Sequence, residues 1–201
     1  MSVLSVRLCP RLEADPMALQ RIFAYALASD IEVSGLGIIK AEPPFWPECL
    51  FITDNLYLPK QEGSAGQTEL DSDALLSFTH QLTVAGKNVS QYRLWWHSHV
   101  GGAVFFSFQD TSTINALAKT WPFVVALVVN HHAEARCRVI SRTSDLELEF
   151  VLPKPNQATL EACKQEVAQK VTQRKYEWPL WKKGSGKWDD ERGLGLNRFK
   201  F

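Results

Sequence analysis

Two of the chain's five histidines, His97 and His99, stand two positions apart in the run YRLWWHSHVGGAVFFSFQD, residues 92–110. The aromatic and aliphatic residues that precede them predict a β-strand. Residues two apart in a strand point to the same face, so both imidazoles would lie together while Ser98 faces the other way. Two such imidazoles can bind one Zn²⁺, at nitrogen–zinc distances of about 2.0–2.1 Å, if a third ligand comes from a neighbouring element.

Asp110 is the expected third ligand, in the first turn of a predicted helix after a glycine-containing loop that is long enough to fold back over the strand end. Two histidines and one carboxylate leave a fourth position open for water, which is typical of catalytic rather than structural zinc sites. Ser107 and Asp110 also have the pattern of a helix capping box. Taken singly, a cap and a structural histidine pair are the simpler interpretations, but their combination favours a metal site. A cap can fix the backbone while the hydroxyl of Ser107 faces the metal.

The segment HSHVGGAVFFSFQD resembles the JAMM motif of MPN-domain metalloproteases, in which His-x-His is followed after seven residues by Ser-x-x-Asp. The family motif also includes an upstream glutamate, and Glu32 in IEVSGLGII stands in a similar strand context. Glu42 and Glu48, in the proline-rich connection, are weaker candidates. The order of predicted elements is also similar over residues 1–150. The resemblance implies an α/β (α+β) fold, MPN/JAMM-like and cytidine-deaminase-like, with a single mixed sheet and helices packed against it.

The resemblance further implies a zinc hydrolase of amide bonds, a peptidase or isopeptidase of prokaryotic or phage type. His97, His99 and Asp110 would bind Zn²⁺, which lowers the pKa of its water to about 7. Glu32 would take the proton of that water and pass it to the leaving amine, and Ser107 would donate a hydrogen bond to the oxyanion. The implied substrate is a peptide or the C-terminal tail of a ubiquitin-like protein.

Two sequence features bear on the substrate. Val100 stands where family members usually have a proline after the second histidine, so no ligand is lost but the loop through Gly101 and Gly102 is less constrained. The segment KQEGSAGQTE lacks the cysteines and histidines with which some deubiquitinating relatives bind a second zinc, so a ubiquitin-specific role is unsupported. Two alternatives stay open: a noncatalytic MPN-type scaffold that binds partner proteins, and a hydrolase of a bacterial ubiquitin-like conjugation, sulfur-carrier or defence operon.

The composition argues against several other classes of protein. The 22 basic and 22 acidic residues balance, so no net charge attracts nucleic acid or an anionic membrane. The most apolar run, FVVALVV at 123–129, is shorter than the roughly 20 residues that a membrane helix needs. Four separated cysteines without a C-x-x-C pair indicate reduced thiols, and the N-terminus has no secretory signal pattern. We therefore expect a cytoplasmic protein.

Periodicity places the motif within a mixed set of elements. Helices are predicted over DPMALQRIFAYALAS, LDSDALLSFTHQLTVAG, SFQDTSTINALAKTW and QATLEACKQEVAQKV. Asp15 and Pro16 would start the first helix, and Gly86 would end the second. Strands are predicted over VLSVRLC, EVSGLGIIKA, CLFITDNLYLP, YRLWWHSH, FVVALVVN, ARCRVIS and LELEFVL. His131 and His132 are expected in a hairpin turn, and KQEGSAGQTE is expected to be a mobile loop.

The length predicts one domain, residues 1–175, which the resemblance implies is metalloprotease-like, followed by a Trp- and Gly-rich tail, residues 176–201. The tail contains Trp178, Trp181 and Trp188. It has two open interpretations: a disordered extension, or an arm that docks on the body, on a partner or across the site and restrains activity. The sequence does not indicate an oligomeric state.

Overall fold

The computed structural model describes residues 11–41, 49–141 and 144–174. Three sequence predictions lie outside these residues: the first strand over residues 3–9, the glutamates of the proline-rich connection, Glu42 and Glu48, and the tail over residues 176–201. The described residues form a mixed α/β fold, which confirms the predicted class.

A seven-stranded mixed sheet forms the centre of the fold. In spatial order its strands are β1 (Arg11–Ala14), β3 (Cys49–Tyr57), β2 (Ser34–Ala41), β6 (Tyr92–His99), β7 (Phe123–Asn130), β8 (Glu134–Ser141) and β9 (Asp145–Val151). Among these described strands, the neighbours β1–β3 and β6–β7 run parallel, and the other neighbours run antiparallel. Because β6 is the middle strand, its residues from Leu94 to His99 are buried.

Helices cover both faces of this sheet. α1 (Pro16–Leu27) and α4 (Gln157–Lys170) contact each other on the face that carries Trp96. α3 (Phe108–Thr120) packs on the opposite face, which carries Trp95. Since neighbouring residues of a strand point to opposite faces, every second residue of β6 counted from Trp95 points to the α3 side.

Local signals set the helix boundaries. Asp15 caps α1 by accepting a backbone hydrogen bond at 2.9 Å, and Pro16 is its first residue. α2 (Ser72–Val84) ends in a Schellman motif, with Gly86 at a φ of +65°. The four predicted helices are confirmed, except that Val171 starts a strand instead of ending the last helix.

α3 is the crossover helix between the parallel strands β6 and β7. Parallel neighbours need such a connection because the chain must return to the same end of the sheet. The start of α3 therefore lies near the carboxyl end of β6, where His97 and His99 stand. The carboxyl ends of parallel strands are where α/β sheets commonly bind ligands.

A second sheet contradicts two sequence predictions. It consists of β4 (Gln61–Ser64), β5 (Gln67–Leu70) and β10 (Val171–Gln173), in the order β10–β4–β5. Residues 60–69 are therefore mostly a hairpin, so the prediction of a loop was wrong, as was that of a single sheet. The reason is that the hairpin depends on distant partners: β4 pairs with β10, and the buried side chain of Gln61 bonds to β2.

Three smaller features bear on the remaining predictions. The β7–β8 hairpin turns at His131 and His132, as predicted. The described cysteines, Cys49, Cys137 and Cys163, are free thiols, as predicted. Within the described ranges, no helix has the length and apolar character needed to cross a lipid bilayer.

Candidate functional site

His97 and His99 lie at the carboxyl end of β6 with their side chains on one face, as the strand periodicity predicted. Their Nε2 atoms are 3.2 Å apart. The ring of His97 stacks on Trp95 at a centroid distance of 4.7 Å. Both histidines are buried, so neither ring can satisfy its nitrogen atoms freely with water. Two ring nitrogens this close present their lone pairs to one shared position.

Asp110 joins the two histidines from the first turn of α3. Its Oδ1 lies 3.4 Å from Nε2 of His97, and its Oδ2 lies 3.8 Å from Nε2 of His99. The backbone N of Ser107 donates to Oδ2 at 2.7 Å, and the backbone N of Asp110 donates to Ser107 Oγ at 3.1 Å. The predicted capping box is therefore present, and it holds the carboxylate against the two imidazoles.

The three side chains fit a tetrahedral metal ion. Ligand atoms about 2.0–2.1 Å from a zinc ion are about 3.3 Å from one another in a tetrahedron. The two Nε2 atoms are 3.2 Å apart, close to that spacing, and Oδ1 of Asp110 lies 3.4 Å from Nε2 of His97 while Oδ2 lies 3.8 Å from Nε2 of His99. One ligand atom from each of the three residues lies within 4.8 Å of the other two. Among the residues that the structure describes, no other group of three or more His, Cys, Asp or Glu side chains converges in this way. The side chains of His99 and Asp110 are 11% and 14% exposed and that of His97 is 2% exposed, so the cluster comes nearest to the surface at His99 and Asp110.

The loop that follows β6 orients the ring of His99. Its Nδ1 lies 3.4 Å from the carbonyl O of Ala103, which can only accept a hydrogen bond. When His99 donates this hydrogen bond as a neutral ring, Nδ1 carries the ring proton and Nε2 can present a lone pair to the cluster. The Nδ1 atom of His97 is buried without a hydrogen-bond partner in the described part of the chain, and stacking on Trp95 orients that ring instead.

The electrostatics of the cluster suit a cation. Burial lowers the pKa of His97, so its imidazole is neutral and able to offer a lone pair. Burial acts to raise the pKa of Asp110, but hydrogen bonds with His97 and His99 outweigh this effect and hold that pKa well below its usual range. The hydrogen bond to Asp110 raises the pKa of His99. A divalent cation would take the place of the protons that these groups share.

Glu32 approaches the cluster from the residues before β2. The sequence prediction placed it on a strand, whereas β2 begins two residues later, at Ser34, which pairs with β6. The antiparallel register continues through Val33, whose O accepts from Ser98 N at 2.8 Å and whose N donates to Ser98 Oγ at 3.0 Å. One step further, this register puts Glu32 opposite His99 and on the same face, because side chains alternate along both chains.

The surroundings of Glu32 differ from those of a surface carboxylate. Burial raises the pKa of its carboxyl group to about 7. The charge of His99 acts in the opposite direction and that of Asp110 in the same direction, so the carboxylate lies near both side chains. The backbone N of Glu32 donates to the carbonyl O of Ser64 in the β4–β5 hairpin at 2.9 Å. The second sheet therefore fixes the backbone at this position.

Two residues that the sequence reasoning missed secure the neighbourhood of Glu32. Gln61 Oε1 accepts from Ser34 N at 2.8 Å, and Gln61 Nε2 donates to Ser34 O at 2.9 Å. The Gln61 side chain therefore makes the pair of backbone hydrogen bonds that a neighbouring strand would make to Ser34. Ser34 Oγ accepts from Trp95 Nε1 at 2.9 Å and donates to Trp96 O at 3.0 Å. Nothing in the sequence around Gln61, a segment that contains Gly and Ser, indicates that its side chain bonds to Ser34.

Asn130 is a third residue that the sequence reasoning missed. It ends β7, pairs with His99 in the parallel register and is fully buried. Its Nδ2 donates to the carbonyl O of Gly102 in the loop after β6 at 2.9 Å. A polar residue at the end of the apolar run FVVALVVN was the available signal, because a buried amide needs hydrogen-bond partners.

The predicted site residues meet at one end of the main sheet from three parts of the chain. His97 and His99 come from β6, Ser107 and Asp110 from the start of α3, and Glu32 from the residues before β2. The chain matches no protein-family model, and a search of curated proteins finds no match.

Proposed function

We propose that this chain is a zinc-dependent peptidase or isopeptidase of the JAMM type. The observation that carries the proposal is the convergence of Nε2 of His97, Nε2 of His99 and the carboxylate of Asp110, with one ligand atom from each within 4.8 Å of the other two. Three protein ligands leave one position open, as in catalytic zinc sites. A buried carboxylate and a serine hydroxyl, those of Glu32 and Ser107, adjoin the cluster.

The fold supports the same proposal. The ligands lie on a β6–α3–β7 unit, with α1 and α4 on the other face of the sheet. This arrangement agrees with the element order of the MPN/JAMM-like fold. Residues 97–110 resemble the sequence motif of that family. We therefore include that fold in the proposal.

Each site residue has a defined task in amide hydrolysis. When bound, a zinc ion would supply a water with a pKa of about 7 and would polarise the scissile carbonyl. Glu32, across from His99, is placed to take a proton at its carboxylate and to return it to the nitrogen of the leaving amine. Ser107 Oγ accepts from the backbone N of Asp110, which leaves its hydroxyl proton free to stabilise a developing oxyanion.

The substrate that we propose is an amide or isopeptide bond in an extended, flexible segment. The partly exposed face of the cluster, formed by His99 and Asp110, gives such a segment access, while His97 lies beneath it. The tail of a ubiquitin-like protein and an unrelated peptide both meet this requirement. Residues 60–70 contain no cysteine or histidine for a second zinc site, so ubiquitin itself is not favoured over other tails.

The decisive experiment combines metal content with cleavage of peptide and isopeptide substrates. We expect the purified chain to bind one equivalent of zinc and to lose activity when a chelator removes it. Glu32→Gln should keep the zinc and reduce turnover by about 10²–10⁴-fold, since a general base contributes that much. Glu62→Gln is the matched control, because Glu62 is an exposed carboxylate of the adjoining β4 strand. It should keep full activity.

Two results would contradict the proposal. A folded chain with less than about a tenth of an equivalent of zinc would exclude a zinc enzyme, since a site of this type holds its metal through purification. Full activity of Glu32→Gln would remove Glu32 from the mechanism. One equivalent of zinc without hydrolysis of any substrate would favour the noncatalytic scaffold.

A further inference from the structure

We propose that Asn130 is a positioning residue for His99. Its side-chain amide anchors the loop of residues 100–106, and a carbonyl of this loop sets the tautomer and the direction of the His99 ring. This role rests on the proposed function, because His99 matters there as a zinc ligand. The orientation of the ring can nevertheless be measured without metal or turnover.

Asn130 uses every hydrogen-bonding group of its side chain. Oδ1 accepts from the backbone N of His132 at 2.9 Å and from that of Glu134 at 3.0 Å, and these bonds close the β7–β8 turn. Nδ2 donates to the carbonyl O of Gly102 at 2.9 Å and to Glu134 Oε2 at 2.6 Å. A carboxamide has two donors and one oxygen with two lone pairs, so this inventory is complete. The side chain thus links a rigid hairpin turn to the loop after β6.

The anchor at Gly102 reaches His99 through a single peptide unit. Ala103, the next residue, provides the carbonyl O that accepts from Nδ1 of His99 at 3.4 Å. That distance is near the outer limit of a hydrogen bond, so a small outward movement of the loop would break it. His99 and Asn130 also face each other in the β6–β7 register, so the anchor and the ring start from adjacent strands.

The loop has few other restraints where it leaves β6. Val100 follows His99 in place of a proline, so no ring constrains the backbone there. Gly101 has a φ of +75°, and a Cβ added at Gly101 or Gly102 would meet no atom within 4 Å. Exposed glycines without packing contacts have large conformational freedom. The amide of Asn130 therefore provides a fixed point at Gly102, whereas side-chain packing begins further along the loop, where Phe105 contacts the ring of His99 and Phe106 packs against the core on the α3 side.

Asn130→Asp separates the two halves of this side chain. Aspartate has nearly the same shape and keeps both acceptor bonds of the turn, but it has no donor for Gly102 when ionised. Glu134→Ala is the matched control, because it removes the other acceptor of Asn130 Nδ2 and leaves the bond to Gly102. Thermal unfolding of both variants, compared with the unaltered chain, establishes that they fold.

Two measurements distinguish positioning of His99 from a purely structural role. Long-range ¹H–¹⁵N NMR spectra of the chain without metal, at about pH 9 where an ordinary imidazole is neutral, report the tautomer of His99. We expect a single Nδ1–H tautomer in the unaltered chain and in Glu134→Ala, and a mixture in Asn130→Asp. Competition with a chelating dye should show zinc binding about 10–100-fold weaker in Asn130→Asp, the usual loss when a group that orients a metal-binding histidine is removed.

Three outcomes would be decisive against one proposal or the other. A folded Asn130→Asp chain that keeps the single tautomer and binds zinc as tightly as Glu134→Ala would overturn the role of Asn130. If Asn130→Asp does not fold, Asn130→Ser, which adds no charge, is measured in its place. If neither variant folds, Asn130 serves the fold alone, and its proposed role in positioning His99 is overturned. Absence of zinc binding by the unaltered chain would defeat the proposed function, while the tautomer would still decide the role of Asn130.

Discussion

On one side of the proposed centre, His97, His99 and Asp110 come from a single strand–loop–helix segment, and we term them the ligand side. On the other side, Glu32 is held by the β4–β5 hairpin of the second sheet, and we term Glu32 with its hairpin contacts the base side. The ligand side depends on the two-residue period of β6 and on a capping box, both of which are local. The base side depends on contacts between residues that are far apart in sequence.

This difference predicts which of two properties, zinc affinity or turnover, each side controls. The backbone N of Glu32 bonds to Ser64 O, and a Cβ added at Gly63 would lie 2.7 Å from Glu32 O, so the hairpin sets the position of the proposed base. None of these contacts touches a proposed metal ligand. We therefore expect changes on the ligand side to alter zinc affinity, and changes on the base side to alter turnover while zinc affinity stays constant.

Asp110→Asn should have the largest effect, because it removes the only anionic ligand of the proposed site. The amide oxygen can still accept from Ser107 N, so the helix start is retained. Removing a group that hydrogen-bonds to a metal ligand weakens metal binding by roughly 10–100-fold. Losing the ligand itself should weaken zinc binding by more than that, and activity should fall with it. Competition titration against a chelator measures the change. Asp73→Asn, in the first turn of α2, is the control, and equal affinities of the two variants would contradict the ligand role.

Ser107→Ala should reduce turnover by about 10²–10³-fold while zinc stays bound, since one oxyanion donor is worth that much. It should also lower stability by about 1 kcal/mol, because the N-cap of α3 is lost. Asn156→Ala is the matched control: Asn156 caps α4 through the backbone N of Thr159 at 2.8 Å, away from the site. Steady-state kinetics and thermal unfolding separate the two effects. Equal loss of turnover in both variants would reduce Ser107 to a cap.

Gly63→Ala should have the smallest effect and should act on the base side alone. Its new Cβ would push against Glu32 O, and we expect turnover to fall about tenfold, less than the roughly 100-fold that a 1 Å misplacement can cost. Gly66→Ala, in the turn of the same hairpin, is the control, since a Cβ there would meet nothing within 4 Å. Turnover and zinc affinity are measured for both. A parallel fall in zinc affinity would show that the two sides are not independent.

Much of the fold could be predicted from the sequence, because its signals are local. Apolar spacing and caps such as Asp15 and Gly86 located the four helices, and alternating or apolar runs located the described strands of the main sheet other than β1. The second sheet could not be predicted in this way. β4 and β5 are short and mostly polar, β4 contains a glycine, and β4 is completed by β10, which follows the last helix.

The sequence by itself determined the ligand side: the parity of His97 and His99 in a strand and the placement of Asp110 by a capping box follow from backbone geometry over a few residues. Only the tertiary structure decided how Glu32 meets them, because the register between β2 and β6, the bond to Ser64 and the support from Gln61 join distant parts of the chain. The same holds for Asn130. Hydrogen bonds across the sheet depend on which strands become neighbours, and no local pattern of residues specifies that.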